Sequence, residues 1–333
     1  MRLLVLGGTV FVGHEVAAEA LRRGHEVVCA ARGTSGTVPD GARLVRVDRD
    51  ADDGLAPLAG ETFDAVVDVA PISFPWVERA LRDLAGRVRH WTFVSTVNVY
   101  ADNETVGQKA DAALLEPLRR HATREEMKTQ DGVGLYGGIK VAAENAVRDT
   151  MGEHAFVVRP GLVTGPGDTS DRFGYWPARF ARGGRVLVPD VADQPVQYID
   201  VRDLAEWIVT AAEQDQGGTF DAIGPAVPLP KLLAGIAEAV GNPVEMVGVT
   251  GDQLTAAEVG SWSGPRSLPL WLPPSYYGMA SHDPAPSLAA GMPVRPLADA
   301  VSGALEHEWA LGLDRERKAG LTPQEEADIL AGL

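Results

Sequence analysis

The chain has 333 residues, 45% of them hydrophobic and 23% charged, with a formal net charge of −16 at pH 7. A chain of this length buries a large core without staples, and its acidity disfavours nucleic acid and anionic lipid as partners, which leaves small-molecule chemistry. A single cysteine, Cys29, excludes an intramolecular disulfide framework, and with no signal-like amino terminus it implies a reducing, cytoplasmic setting.

The opening apolar run, 3–6, is too short to cross a bilayer and runs into glycines, so it reads as a buried strand. Further strands are expected at 26–31, 44–47, 65–69, 91–94 and 155–158, after a first one at 2–6. Helices are expected at 11–23, 75–85 and 136–151. This alternation describes an α/β fold, a doubly wound parallel sheet with helices on both faces and right-handed crossovers. The segment 101–135 is charged and weakly patterned, which fits either a lid or a surface insertion. After Arg159 glycine, proline and tryptophan become frequent, and helices at 204–213 and 229–240 stand between irregular stretches. Residues 1–160, with returning segments near 186–225, therefore read as a dinucleotide-binding domain, and 161–333 largely as a smaller, mixed substrate lobe. Thr322-Pro323-Gln324-Glu325 has the form of a capping box that opens a terminal helix.

Gly7-Gly8-Thr9-Val10-Phe11-Val12-Gly13 lies between the first strand and the first helix, where backbone N–H groups and the helix dipole meet a pyrophosphate in a Rossmann-type site. Val10 stands where a glycine ordinarily lets the backbone approach the pyrophosphate. The second strand ends at Arg32, without the acid that holds the ribose hydroxyls of NAD; an arginine fork there suits a 2′-phosphate, so NADP is favoured and NAD is the alternative. Asp48 is placed either to accept from the adenine amino group or to form a turn. The strand-end residues Val69, Ala70, Pro71 and Pro160 complete the candidate cofactor contacts.

Tyr136 and Lys140 stand at i and i+4, on one helix face. A free phenol has a pKa of about 10, so acid/base work near neutrality needs about 4 kcal/mol of differential stabilisation, which a nearby ammonium provides in part. Thr96, with Ser95 beside it, ends the strand at 91–94, where ligands of open parallel sheets bind. Each motif alone is common on helix surfaces and strand ends; their joint order in one chain is what carries the reading.

The stretches 7–13, 93–100, 136–140, 159–168 and 197–204 closely resemble the extended short-chain dehydrogenase/reductases of the NAD-dependent epimerase/dehydratase type, over roughly the whole chain. The resemblance implies catalytic roles for Thr96, Tyr136 as acid/base and Lys140, which also binds the nicotinamide ribose; a homodimer is a further option in such proteins. Three departures stand out. Val10 replaces the middle glycine, as in atypical members reading Gly-Gly-Thr-x-Phe-Ile-Gly. The ribose acid is absent. Leu162 takes the place of the asparagine that contacts nucleotide-sugars.

Tyr175, Trp176, Trp262, Trp271, Tyr276 and Tyr277 concentrate aromatic surface in the second lobe and offer a wall for an apolar or planar substrate. The candidate substrate residues are Ser95, Asn98, Leu162, Tyr175, Trp176 and Tyr198. No histidine pair has metal-ligand spacing, so no metal is expected. The leading expectation is a carbonyl/alcohol oxidoreductase. An NAD-retaining epimerase or dehydratase of a sugar-like substrate is the alternative, and a cofactor-binding sensor or nucleic-acid-binding protein without turnover is the third reading.

Overall fold

The computed structural model describes every residue except Gln130. The amino-terminal half alternates β1 (Arg2–Leu6), α1 (Phe11–Arg22), β2 (Glu26–Ala31), β3 (Arg43–Arg46), β4 (Ala65–Asp68), α2 (Phe74–Leu84), β5 (His90–Val94), α3 (Gly132–Met151) and β6 (Ala155–Pro160). Beyond it follow β7 (Leu162–Thr164), α4 (Tyr175–Ala181), β8 (Gly184–Pro189), β9 (Pro195–Val196), β10 (Tyr198–Asp200), α5 (Val201–Gln214), β11 (Gly218–Ala222), β12 (Val227–Pro228), α6 (Leu229–Val240) and β13 (Val244–Val249). Every strand and helix expected in the first half is present, with ends shifted by a residue or two; α3 begins earlier, at Gly132 rather than Tyr136.

The described residues build a seven-stranded sheet in the order β3-β2-β1-β4-β5-β6-β11. All its pairings are parallel. The period-2 geometry of β1 sends Leu3 and Val5 to one face, against Val16, Ala17 and Ala20 of α1 and the apolar side of α5. Leu4 and Leu6 go to the other, against Val77, Ala80 and Leu84 of α2 and Ala143, Val147 and Met151 of α3. Each such side chain, buried from water, contributes about 1.5–3 kcal/mol relative to exposure. Strand order reverses between β1 and β4, so the carboxyl ends of those two strands open the crevice in which ligands of such sheets bind.

The chain returns to the sheet only through α5 and β11. β8 pairs in parallel with β13, outside the sheet, so of the stretch 186–225 it is α5 and β11 that join the sheet, with Ile199 packing into the same core. The second lobe has its own core, in which Tyr175, Trp176 and Phe180 of α4 pack on Leu229, Leu232, Leu233 and Ile236 of α6. The Thr322 capping box forms as read, and the helix it opens, Pro323–Ala331, is fastened by buried Glu326, which pairs with Arg179 at 2.6 Å and accepts from Leu187 N–H.

Residues 101–129 lie largely on the surface, as an insertion would, yet they are tied to the body of the protein by backbone hydrogen bonds. Leu118 N–H donates to the Gly138 carbonyl at 2.8 Å, and Ala122 N–H to that of Ile72 at 2.9 Å. A side chain at Gly137 would collide with the Asn98 carbonyl, and one at Gly138 with the Glu116 carbonyl and Leu118, which is why glycines follow Tyr136. Residues 103–108 are latched to 278–283 through Met279 N–H to Asn103 O, Gly107 N–H to Ser281 O and Asp283 N–H to Gln108 O. Among the described residues, no helix is long and apolar enough to cross a membrane.

Candidate active site

β1 delivers the chain into a turn with no spare volume. Gly7 has φ +106°, a conformation that L side chains rarely adopt, and Val69 at the end of β4 packs directly against its Cα. A methyl group on Gly8 would strike Cys29 Sγ, and one on Gly13 the Gly7 carbonyl oxygen. Val10 is extended and caps α1 without a side-chain hydrogen bond, so the first N–H groups of the helix are left for a ligand. Phe11 holds φ +41° without being glycine, strain of the kind that gathers at ligand clamps. These features fit a pyrophosphate. Thr9 is buried, Val12 packs on the core beside α1, and Val10 lies at the crest, 38% exposed, where it limits how closely a ligand can approach the backbone. Gly13→Ala is expected to cost about 1–3 kcal/mol of stability by overpacking and to abolish dinucleotide binding. Thermal melting and calorimetric titration read both effects, and undiminished affinity would move the pyrophosphate off this turn.

At the far end of the crevice Arg32 is exposed, and its carbonyl accepts from Arg46 Nη1 of β3 at 3.2 Å. Two cationic forks thus flank the end of β2, of which the sequence reading had found one; Arg46 sits on an alternating strand and looks like a solvated position until the strands pair. Asp48 is exposed, and its carboxylate accepts from Asp50 N–H at 3.1 Å, the turn-forming arrangement. The next residue does more for the site. Arg49 makes a buried bidentate pair with Asp68 at 2.7 and 2.9 Å and donates to the Trp76 carbonyl. This pair fixes the end of β4, from which Val69 meets Gly7 and the Ala70 carbonyl reaches Lys140; Pro71, next along, is exposed. Pro160 ends β6 and is buried.

Lys140 is buried and donates from Nζ to the carbonyls of Ala70 at 2.6 Å and Val94 at 2.7 Å. Burial pushes its ammonium down to about 7, against the opposing charges of Asp68 and Glu144. Tyr136, one turn earlier, is half-buried, with its ring 5.6 Å from Lys140 Nζ. Burial pushes its phenol up to about 12, the reverse of the depression expected from the Lys140 ammonium, and the Thr96 side chain and the charge of Arg172 pull it back only in part. Thr96 also accepts from Asn98 N–H at 3.2 Å, which fixes its rotamer at the start of a single 3₁₀ turn, Val97–Val99. Thr96, Tyr136 and Lys140 therefore converge at the carboxyl edge of β5, with Asn98 and Leu162 beside Thr96 on the cleft wall.

Four candidate substrate residues lie elsewhere. Ser95 points inward and donates to Glu144 Oε1 at 2.5 Å. Tyr175 and Trp176 are core residues of the second lobe, where Trp176 Nε1 is satisfied by the Pro269 carbonyl at 2.9 Å. Aromatic bulk in α4 serves packing because its apolar face closes on α6. Tyr198 stacks on Phe173 with ring centroids 5.3 Å apart and lines a separate groove beside α6, while its neighbour Gln197 faces the Thr96 cleft. Of the proposed aromatic wall, Trp262 alone among the described residues reaches that cleft, joined by Arg172, Ile223 and Met279, and the closed cleft has a volume of about 60 Å³. No local signal marks Ile223 or Met279, and Gln197 is marked only as part of the stretch 197–204, because tertiary packing alone brings Ile223, just past β11, and the loop with Met279 over β5.

Behind Ser95 runs a buried polar chain. Glu144, one turn beyond Lys140, accepts from Ser95 and twice from Arg159, at 2.9 and 2.7 Å; Arg159 reaches Tyr100 Oη at 2.8 Å, and Tyr100 donates to Asp221 Oδ1 at 2.6 Å. These residues tie α3, β5, β6 and β11 together beneath Thr96, Tyr136 and Lys140. Cys29, by contrast, is buried in the sheet with its thiol pushed up to about 12 by burial, so it is inert. Among the described residues, no cluster of three or more histidine, cysteine or acidic side chains is placed to hold a metal ion.

Comparison with known proteins agrees with this geometry. Residues 3–223 match the model of the NAD dependent epimerase/dehydratase family. The chain is 28% identical over 274 residues to the 2′-dehydrokanamycin reductase of Streptomyces kanamyceticus, which covers 78% of this chain and 73% of that protein. Its fold is shared with UDP-N-acetylglucosamine 4-epimerase from Bacillus cereus (TM-score 0.65, 16% identity, 96% of this chain and 100% of that one). The same holds for UDP-glucuronic acid 4-epimerase from Bacillus cereus in complex with NAD (TM-score 0.64, 14% identity, 96% and 100%). With its glycine turn at the head of β1 and Thr96, Tyr136 and Lys140 gathered at the edge of β5, the chain belongs to the NAD dependent epimerase/dehydratase family, nicotinamide-dependent enzymes of the short-chain dehydrogenase/reductase type.

Proposed function

We propose that the protein is an NADPH-dependent reductase that converts a ketone on a small molecule to an alcohol. The observation that carries the reading is the phenol of Tyr136, which burial pushes up to about 12 so that it keeps its proton at neutral pH, set beside the Thr96 hydroxyl that lines a cleft of about 60 Å³. A phenol so placed is a general acid, ready to give its proton to an oxyanion, and Thr96 adds a second hydroxyl to stabilise that charge. A bound reduced nicotinamide supplies the hydride. Lys140 holds the cofactor's ribose side of the crevice, and its position is fixed by the two carbonyls it already binds. The apolar wall formed by Leu162, Ile223 and Met279 favours a substrate without a nucleotide handle, and the reductase activity named for the Streptomyces relative points the same way. Screening ketones for stoichiometric NADPH oxidation tests the proposal; conversion of a substrate with no net change in nicotinamide absorbance would overturn it.

The phosphorylated cofactor is supported by Arg32 and Arg46, which lie together at the end of β2 in place of an acid. Arg32→Ala and Arg46→Ala are each expected to weaken NADPH binding about tenfold or more while leaving NADH within about twofold, as loss of a charge-assisted contact implies. Calorimetric titration with both cofactors measures this, and equal losses for the two would remove the 2′-phosphate assignment. The second reading, an epimerase or dehydratase that retains NAD, is favoured by the NAD complex among the proteins of the same fold. Tightly held NAD in the purified protein, seen by mass spectrometry, would select it.

A further inference from the structure

The three fully buried arginines each have a carboxylate: Arg49 has Asp68, Arg159 has Glu144 and Arg179 has Glu326. Arg172 departs from this pattern. It is partly buried on the wall of the catalytic cleft, yet no carboxylate among the described residues lies within ion-pair distance of it, and its side chain makes one hydrogen bond, from Nε to Ser170 Oγ at 3.2 Å. Its guanidinium carbon lies 5.2 Å from the ring centroid of Trp262, so the plane is braced on one face while both terminal amino groups keep their donors for a ligand.

Neither neighbouring acid pairs with it. Asp171 pairs with Arg315 and accepts from Lys318 N–H at 2.7 Å. Asp168 is the acid whose charge acts on Arg172, but it stands beyond ion-pair distance: one oxygen accepts from Ser170 N–H at 2.8 Å, and the other is buried without a partner. The backbone on either side of the contact is strained, with φ +60° at Asp171 and φ +68° at Trp262, a cost that persists where function aims a side chain. Burial depresses Arg172, the mark of a cation short of compensation, and the charge of Arg172 is the one that lowers the Tyr136 phenol. A half-desolvated guanidinium without a structural counter-ion is completed by an anionic ligand, and its planar fork matches a carboxylate bidentately. In a chain of net charge −16 such a cation is also a selective element, since it creates a local preference opposite to that of the surface.

We infer that Arg172, braced on Trp262 beside Thr96 and Tyr136, is the specificity-determining anchor of the substrate, and that the substrate carries a carboxylate close to its reactive carbonyl. This rests on the reductase reading for the word substrate, but its test does not need turnover. Cyclohexanecarboxylate and its neutral isostere cyclohexanecarboxamide are titrated calorimetrically into the full-length protein, with and without NADP, for wild type, Arg172→Met and Arg172→Lys. Melting temperature and NADPH affinity serve as controls for folding.

The expected result is that wild type prefers the carboxylate by about tenfold or more, that the Met variant binds both probes equally weakly, and that the Lys variant keeps part of the preference. Equal binding by wild type, or a preference that survives in the Met variant, would overturn the assignment. Turnover separates it from the broader proposal, using 3-oxocyclohexanecarboxylate and its amide. A carboxylate preference in binding without NADPH oxidation by any ketone leaves Arg172 in place and removes the reductase. NADPH oxidation without the preference does the reverse.

Discussion

Tyr136→Phe is expected to lower kcat for ketone reduction by about a hundred- to ten-thousand-fold, the range of a positioned general acid. NADPH affinity and melting temperature should be unchanged. The phenol is half-buried beside the Thr96 hydroxyl, which accepts from Asn98 N–H in any case, so deleting the oxygen removes the proton donor and leaves no buried group orphaned. Lys140 is unaffected, because its ammonium is bound by the Ala70 and Val94 carbonyls and not by Tyr136. Stopped-flow oxidation of NADPH on a ketone found by screening measures the step, with calorimetry for the cofactor. A rate within about tenfold of wild type would assign the proton to another group. Lost NADPH affinity would instead make Tyr136 a cofactor contact.

The second large effect concerns stability. Glu144→Gln keeps the shape of the side chain but leaves the Arg159 guanidinium without its counter-charge at a site 2% exposed, and such half-broken buried pairs cost about 3–5 kcal/mol. Burial pushes the Glu144 carboxyl up, but the Arg159 and Ser95 hydrogen bonds and the charges of Arg159 and Arg148 outweigh it and hold the group below its ordinary 4.5. A carboxyl depressed in the folded state stabilises it fully above the unfolded value and loses that contribution as the pH falls toward the folded one. Wild type should therefore lose stability as the pH drops below about 4.5, and the Gln variant, already deprived of the charge, should lose less over that window. Denaturant titration at several pH values measures both slopes; parallel curves would mean that the pair contributes nothing net. Because Ser95 hangs from the same carboxylate, a modest fall in kcat through misplacement of Thr96 is also expected.

Much of this was legible in the chain itself. The apolar runs that became β1, β2, β4, β5 and β6 were readable because most of their residues are buried on both faces, so hydrophobic content alone located them, whereas edge strand β3 alternates. The glycine turn and the Tyr136/Lys140 pair were readable because their chemistry is confined to a few consecutive residues. Trp176 shows where such reading stops. An aromatic side chain in a helix faces core or ligand according to what the helix packs on, and α4 packs on α6, more than forty positions on in sequence. Tyr198 and Gln197 make the same point at closer range: Gln197, just before β10, faces the cleft while Tyr198, the first residue of β10, lines another groove, and only the placement of β10 beside β7 decides which side is which.

Sequence alone determined the fold class, the place of the glycine turn, the order of Thr96, Tyr136 and Lys140 and the missing ribose acid, since each is written in local order and in the identity of a few side chains. Tertiary structure decided which groups surround that trio: Arg46 beside Arg32, Arg49 on Asp68, Ser95 given over to Glu144, and Arg172 left without a partner on Trp262. Those are contacts between segments far apart in the chain, and whether a charge ends as an ion pair or as a free fork depends on which partner the packing of two lobes brings within about 4 Å of it.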